Sequence, residues 1–202
     1  MPFLLPILLI VLTLAIVAAL LRSPAVRGAI GEHRVQRYLR SKLDPQDFRI
    51  LNDVTLRVGG GTTQIDHVVL SRYGIFVLET KHLSGWLFGQ ASDRAWTRTS
   101  RRGKRKIPNP LHQNAAHIRA LEEVTRLPRE AFQPAVVLTG AAKFKTAKPE
   151  GVMSLIELVR WIRSKPQETL TRERLAQAVD AIETARLEPG PAADRAHLAS
   201  LG

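Results

Sequence analysis

The stretch TQIDHVVLSRYGIFVLETK, residues 63–81, constrains the fold most, because it contains two apolar segments separated by a short turn. Segments of this length that are rich in Val, Ile and Leu predict β-strands, here over residues 64–71 and 75–80. Both segments are apolar at successive positions, which is typical of strands that are buried on both faces. The stretch therefore predicts two strands that are buried inside a sheet.

Three charged residues interrupt or end these buried strands: Asp66, Glu79 and Lys81. Charged side chains are rarely buried without a partner. Glu79 and Lys81 are two residues apart, so they project from the same face of one strand, and a hairpin would bring Asp66 beside Glu79. Two carboxylates at such a separation repel each other unless a cation lies between them.

Two interpretations of this charged group remain open. In the first, Asp66 and Glu79 bind Mg²⁺ or Mn²⁺, which are hard cations that take oxygen ligands. Lys81 would then act on an attacking water or on the charge of a phosphate. In the second, Lys81 forms a salt bridge with one of the two acids at a sheet edge, and the group is structural.

The rest of the chain alternates between predicted helices and strands. Amphipathic spacing and capping signals predict helices over residues 24–43, 110–126, 154–163 and 171–186, and further strands over residues 48–58 and 134–140. These elements predict a chain that combines helices with a buried sheet. We expect a core over residues 23–145, a C-terminal helical part packing on it over 146–187, and a disordered tail over 188–202.

The N-terminal segment has no charged side chain over residues 3–21. A helix of this length spans about 28 Å, close to the hydrocarbon thickness of a bilayer. We therefore predict a membrane anchor over residues 1–22, with a cleaved signal peptide and an exported protein as the alternative. The cations that follow, beginning with Arg22 and Arg27, predict a single-pass protein of the cell membrane, with its N-terminus outside and its folded domain in the cytoplasm.

The net charge of +12 favours a polyanionic partner, either nucleic acid or an anionic membrane surface. The segment RRGKRK predicts a nucleic-acid-binding loop, with a solvated hairpin tip as the alternative. Its cations are Arg101, Arg102, Lys104, Arg105 and Lys106. Trp86 and Trp96 are interpreted as packing anchors of a hairpin rather than as residues that stack on bases.

Two helical residues add to the charged group of the strands. Glu32 lies on the helix that leads into the sheet and is placed to hold a metal through water. Gln113 lies near the start of the helix after the basic segment, where it can donate to a phosphate or to an attacking water.

Four blocks of sequence resemble the nuclease-related domain family, NERD, of the PD-(D/E)xK nuclease superfamily. They are GEHRVQRYL, TQIDHVVLSRYGIFVLETK, SGWLFGQASDRAW and NPLHQNAAHIRAL, in that order between residues 29 and 140. The resemblance implies an α/β fold with a mixed central sheet flanked by helices, the restriction-endonuclease-like core of the superfamily. It also implies Mg²⁺-dependent cleavage of phosphodiester bonds in DNA or RNA, without an organic cofactor.

The resemblance also implies the site residues. The catalytic set is Glu32, Asp66, Glu79, Lys81 and Gln113, with Asp66, Glu79 and Glu32 at the metal. The family is named for its relatedness to nucleases, which leaves activity open. The alternative is therefore a catalytically inactive module that binds nucleic acid or assembles a membrane complex.

Overall fold

The structure is a computed structural model that describes residues 4–21, 23–59, 61–101, 103–165 and 167–188. Five strands form a central sheet in the order β1-β2-β3-β7-β9, and four strands form a second sheet in the order β6-β5-β4-β8. The strands are β1 Arg49–Val58, β2 Gly61–Ser71, β3 Gly74–Lys81, β4 Gly85–Phe88, β5 Ala95–Ser100, β6 Gly103–Pro108, β7 Phe132–Leu138, β8 Ala142–Phe144 and β9 Val152–Ser154. The helices are α1 Leu4–Leu21, α2 Pro24–Lys42, α3 Pro110–Thr125, α4 Leu155–Arg163 and α5 Arg172–Ala185, with a 3₁₀ turn at Arg129–Ala131.

The central sheet is mixed. Strands β1, β2 and β3 form an antiparallel meander, in which Ser71 pairs with Gly74 across a tight turn. Gly74 has a φ of 133°, which side chains rarely allow, so the turn requires glycine at this position. Strand β7 pairs parallel to β3, and α3 forms the crossover that a parallel pair needs. The prediction of a mixed sheet flanked by helices is confirmed.

The two faces of the central sheet are both covered by helices. Along β3, Phe76 and Leu78 belong to the core beneath α2 and α4, whereas Ile75 and Val77 belong to the core beneath α3 and α5. All four side chains are fully buried, and burying one such side chain stabilises the fold by roughly 1.5–3 kcal/mol. Coverage on both faces explains why these strands are apolar at successive positions.

The second sheet packs on the central domain through one of its faces. Trp96 is fully buried there with Val136 and Val152 of the core, and its ring meets Phe144 edge-on with the centroids 5.1 Å apart. Trp86 projects from the opposite face and is 54% exposed. The interpretation of both tryptophans as packing anchors is therefore right for Trp96 and wrong for Trp86.

The basic segment is mostly a strand. Lys104, Arg105 and Lys106 lie in β6 and pair with Thr99, Arg98 and Thr97 of β5, so the prediction of a loop is wrong for them. Ser100 pairs with Gly103, so the residues that follow continue the pairing along β5 as a hairpin. Arg101 lies at the turn between the two strands, and Arg102 lies outside the described residues.

The predictions for the two ends of the chain are an N-terminal membrane anchor and a C-terminal tail. In the part of the chain that the structure describes, no helix combines the length and the apolar character needed to cross a membrane. The predicted membrane anchor over residues 1–22 is therefore not supported. The predicted tail falls, except for Glu188, outside the described residues.

Candidate active site

The acidic residues of β2 and β3 meet where these strands separate. His67 is paired with Leu78, which places Asp66 next to Glu79 at the following position. The Thr80 amide donates a hydrogen bond to Asp66 Oδ2 at 2.7 Å. The backbone of β3 therefore orients the Asp66 carboxylate beside Glu79.

Glu79 is buried between two hydrogen-bond donors. Its side chain is 2% exposed, with Lys81 Nζ 2.6 Å from Oε1 and His117 Nε2 3.0 Å from Oε2. An ionised carboxylate only accepts hydrogen bonds, so Nε2 of His117 donates. In the neutral ring Nδ1 then accepts from the Thr63 hydroxyl, 2.7 Å away. The salt bridge that the sequence offered as an alternative is thus present, and Lys81 forms it with Glu79.

Helix α3 supplies the side chains that contact Lys81 and Glu79. The Lys81 ammonium donates to Gln113 Oε1 at 3.1 Å. Gln113 and His117 are four residues apart, so they lie on the same face of α3. The four-residue spacing from Gln113 is the sequence signal that indicates His117, although the sequence analysis did not assign His117 to the site.

A buried asparagine fixes α3 on the sheet. The Asn114 side-chain amide donates to the Val77 carbonyl at 2.9 Å and to the Ala135 carbonyl at 3.1 Å. It therefore contacts the adjacent parallel strands β3 and β7 at once. The helix begins at Pro110 after the Asn109 cap, whose side chain accepts from the Leu111 amide. These contacts fix the position of α3, and with it the positions of Gln113 next to Lys81 and of His117 next to Glu79.

Glu32 approaches the site from α2. The helix lies close to the sheet because Gly31 has no side chain: a Cβ there would be 2.8 Å from the Thr139 hydroxyl and 2.9 Å from His82 Cβ. Burial raises the pKa of Glu32, and the negative charges of Asp53 and Glu79 raise it further. Asp53, which sequence analysis did not assign to the site, has a φ of 53° in β1, an uncommon conformation for a residue other than glycine.

The two central carboxyls have opposite electrostatic environments. Burial, and then the charge of Glu79, raises the pKa of Asp66 well above its usual value. Burial also opposes ionisation of Glu79, but the hydrogen bonds from His117 and Lys81 outweigh it and lower the pKa of Glu79. The surroundings therefore disfavour negative charge on Asp66 and favour it on Glu79.

The flanking histidines hydrogen-bond to neighbours of the site. Burial lowers the pKa of His67 to about 4, so its ring is neutral at physiological pH, and Nδ1 donates to Asn52 Oδ1 at 2.8 Å. His82 Nδ1 lies 3.1 Å from the Thr139 hydroxyl. Among the described residues, no group of three or more His, Asp or Glu side chains is arranged to hold a metal ion.

A basic cleft of about 340 Å³ opens beside these residues. Its lining includes Glu32 and Lys81 from the central domain and three arginines, Arg27, Arg98 and Arg105. Arg98 and Arg105 are cross-strand partners in β5 and β6, so they project from the same face of the second sheet. Lys104 and Lys106 alternate with Arg105 and project from the other face.

The fold and the site define a class: a mixed α/β domain of the PD-(D/E)xK kind, with an acid on one strand and a Glu-x-Lys on the next. The profile of the nuclease-related domain family, NERD, matches residues 27–139, and the chain belongs to this family. The resemblance stated from the sequence is confirmed.

A curated relative is an uncharacterized protein of Bacillus anthracis, 45% identical over 100 residues. The matched region covers 49% of this chain and 47% of the relative, so the chain spans about half of that protein. No solved structure matches the chain.

Proposed function

We propose that this protein is a divalent-metal-dependent nuclease that hydrolyses phosphodiester bonds of DNA or RNA. The observation that carries the proposal is the meeting of Asp66, Glu79, Lys81 and Gln113 beside a cleft lined by arginines. The carboxylates suit a metal, the ammonium suits a phosphate or a water, and the arginines suit a polyanionic backbone.

The donor set of the site fits Mg²⁺ or Mn²⁺. Asp66 and Glu79 would hold the ion, and Glu32 would contribute through water. Mg²⁺ usually takes one or two carboxylates together with waters and substrate phosphate, so it does not need three protein ligands. Burial, and then the charge of Glu79, raises the pKa of Asp66, and a cation between the two carboxyls would favour the ionised form of both. When bound, the metal would polarise the phosphoryl group and stabilise its developing charge.

Lys81 and Gln113 are the groups that we assign to the attacking water and the phosphate. The Lys81 ammonium has three donors, and its contacts with Glu79 and Gln113 use two of them. The third can reach a water or a phosphate oxygen in the cleft. Gln113 is exposed at the start of α3, where its amide can orient the same water or phosphate.

A cleavage assay tests the proposal. Purified protein is incubated with end-labelled single- and double-stranded DNA and RNA in the presence of Mg²⁺, Mn²⁺ or EDTA. We expect cleavage of at least one substrate with either metal and none with EDTA. Binding without cleavage under every metal condition would leave a nuclease-fold module that binds nucleic acid without hydrolysing it.

The cleft arginines give a second expected result. Arg105→Ala should weaken binding of every sequence to a similar degree and reduce the salt dependence of the affinity by roughly one unit of slope, because it removes one phosphate contact. Arg174→Ala is the matched control, since Arg174 is exposed on α5, away from the cleft lining. Fluorescence anisotropy at several salt concentrations measures both variants. If the two substitutions weaken nucleic-acid binding equally, Arg105 does not contact the substrate.

A further inference from the structure

The second sheet exposes two aromatic side chains on the face that points away from the core. Trp86 and Phe88 are two residues apart in β4, so they project from the same face, while Leu87 between them is fully buried. Trp86 is 54% exposed and Phe88 is 37% exposed. Large exposed aromatics side by side are a feature of binding surfaces rather than of a solvated sheet.

Lysines flank this aromatic pair. The sheet register places Trp86 opposite Thr99 and Lys143, and Phe88 opposite Thr97. The two threonines in turn pair with Lys104 and Lys106. We call these residues the outer face: Trp86, Phe88, Lys104, Lys106 and Lys143. No residue of strands β4, β5, β6 and β8 is acidic, so the charge of these strands is uniformly positive.

The Trp86 ring already contacts a cation. Lys145 Nζ lies 4.9 Å from its centroid. Lys145 is exposed, and its side chain can move from the ring to a neighbouring phosphate without disturbing the sheet. The ring then presents a flat surface next to several ammonium groups.

Packing of the sheet does not account for the outer face. Trp96 anchors the sheet through the inner face, where Arg98 and Arg105 also point into the cleft. The second sheet therefore carries cations on both faces, and its most exposed aromatic side chains lie on the outer one. An aromatic surface with cations around it matches a ligand that has flat apolar rings joined by anionic groups.

We propose that the outer face binds a single-stranded segment of nucleic acid, with bases stacked on Trp86 and Phe88 and phosphates contacting Lys104, Lys106 and Lys143. Bases in a duplex are stacked on one another and hide their faces, so only an unpaired segment can use these rings. The choice of a nucleic acid rests on the proposed function, but this binding needs neither the metal nor cleavage.

The test measures binding in EDTA, so that cleavage plays no part in it. Fluorescein-labelled oligo(dT) and oligo(U) and a duplex of the same length are titrated by anisotropy with the full chain. We expect Trp86→Ala to weaken binding of the single strands by roughly tenfold, because stacking on an aromatic side chain is lost. Duplex affinity should change by less than about twofold, since the cleft arginines remain.

Three further variants separate stacking from other causes. Trp86→Phe keeps an aromatic ring and should restore most of the single-strand affinity. Ile156→Ala removes an equally exposed apolar side chain from α4 and should change nothing. Asp180→Asn removes one negative charge from the exposed surface of α5 and should bind single strands as the wild type does. All affinities are measured in EDTA, so a failure of the nuclease proposal does not affect this result.

Two outcomes would overturn the proposal. The first is an equal loss of single-strand and duplex affinity in Trp86→Ala, or no loss in either. The second is self-association of the wild type that Trp86→Ala abolishes while oligonucleotide affinity stays unchanged, which would make the outer face an interface between copies of this chain.

Discussion

Asp66→Asn should abolish metal binding and slow cleavage by about a thousandfold or more, while the metal-free protein melts at the same temperature or higher. Loss of a ligand removes several kcal/mol of transition-state stabilisation. The fold should not suffer, because the asparagine oxygen still accepts the hydrogen bond that the Thr80 amide donates to Asp66. Removing the charge also removes the cost of burying it and relieves the repulsion by Glu79, the two causes that raise the pKa of Asp66.

Thermal melts with Mg²⁺ and with EDTA measure both parts of this expectation. Mg²⁺ at several millimolar should raise the melting temperature of the wild type and leave that of the variant unchanged, because only the wild type binds the ion. Asp180→Asn, which neutralises an exposed carboxylate on α5, is the matched control and should behave as the wild type does. If Mg²⁺ leaves the wild type unaffected and Asp66→Asn melts lower, the charged group is structural and the nuclease proposal fails.

Unlike Asp66→Asn, Lys81→Met should reduce cleavage without reducing metal binding. Cleavage should fall by roughly a hundredfold or more, because one positioned donor to the attacking water or the phosphate is lost. Metal binding should persist or tighten, since the ammonium 2.6 Å from Glu79 Oε1 no longer competes with the ion for that oxygen. Glu79 keeps its hydrogen bond from His117 in the variant.

Single-turnover cleavage and a Mg²⁺ titration of the melting temperature separate the two roles of Lys81. Lys42→Met, at the exposed end of α2, removes the same charge at a distance from the site and should leave both measurements unchanged. Should Lys81→Met cleave at the wild-type rate, Lys81 serves the stability of Glu79 and not the chemistry. Loss of metal binding in Lys81→Met would likewise contradict the assignment.

Local signals were sufficient for most of the central domain. The apolar runs predicted β2 and β3, and Pro110 and the Ser154–Glu157 capping box predicted the starts of α3 and α4, which the structure confirms. These features depend on residues within one or two turns of each other. The pairing within the second sheet was harder to predict, because β4 pairs with β8 far along the chain.

The site residues also divide into those that local sequence signals predicted and those that only the packing brings together. The two-residue spacing of Glu79 and Lys81 and the β2–β3 hairpin were enough to place Asp66, Glu79 and Lys81 together. His117 was not assigned to the site although its four-residue spacing from Gln113 indicated it. Asp53 was not assigned because its proximity to the site depends on how β1 packs rather than on a motif. Trp86 was misread because only the sheet register shows that it and Trp96 lie on opposite faces.

The side chain of Asn114 has a consequence for the motions of the site. Its two hydrogen bonds attach α3 to β3 and to β7 in a fully buried position, so α3 cannot slide or rotate on the sheet without leaving polar groups unsatisfied in the core. Gln113 and His117 thus share the slow fluctuations of the sheet rather than the faster ones of a surface helix. The contacts of Gln113 with Lys81 and of His117 with Glu79 therefore depend on the packing of the core rather than on the position of the β5–β6 hairpin.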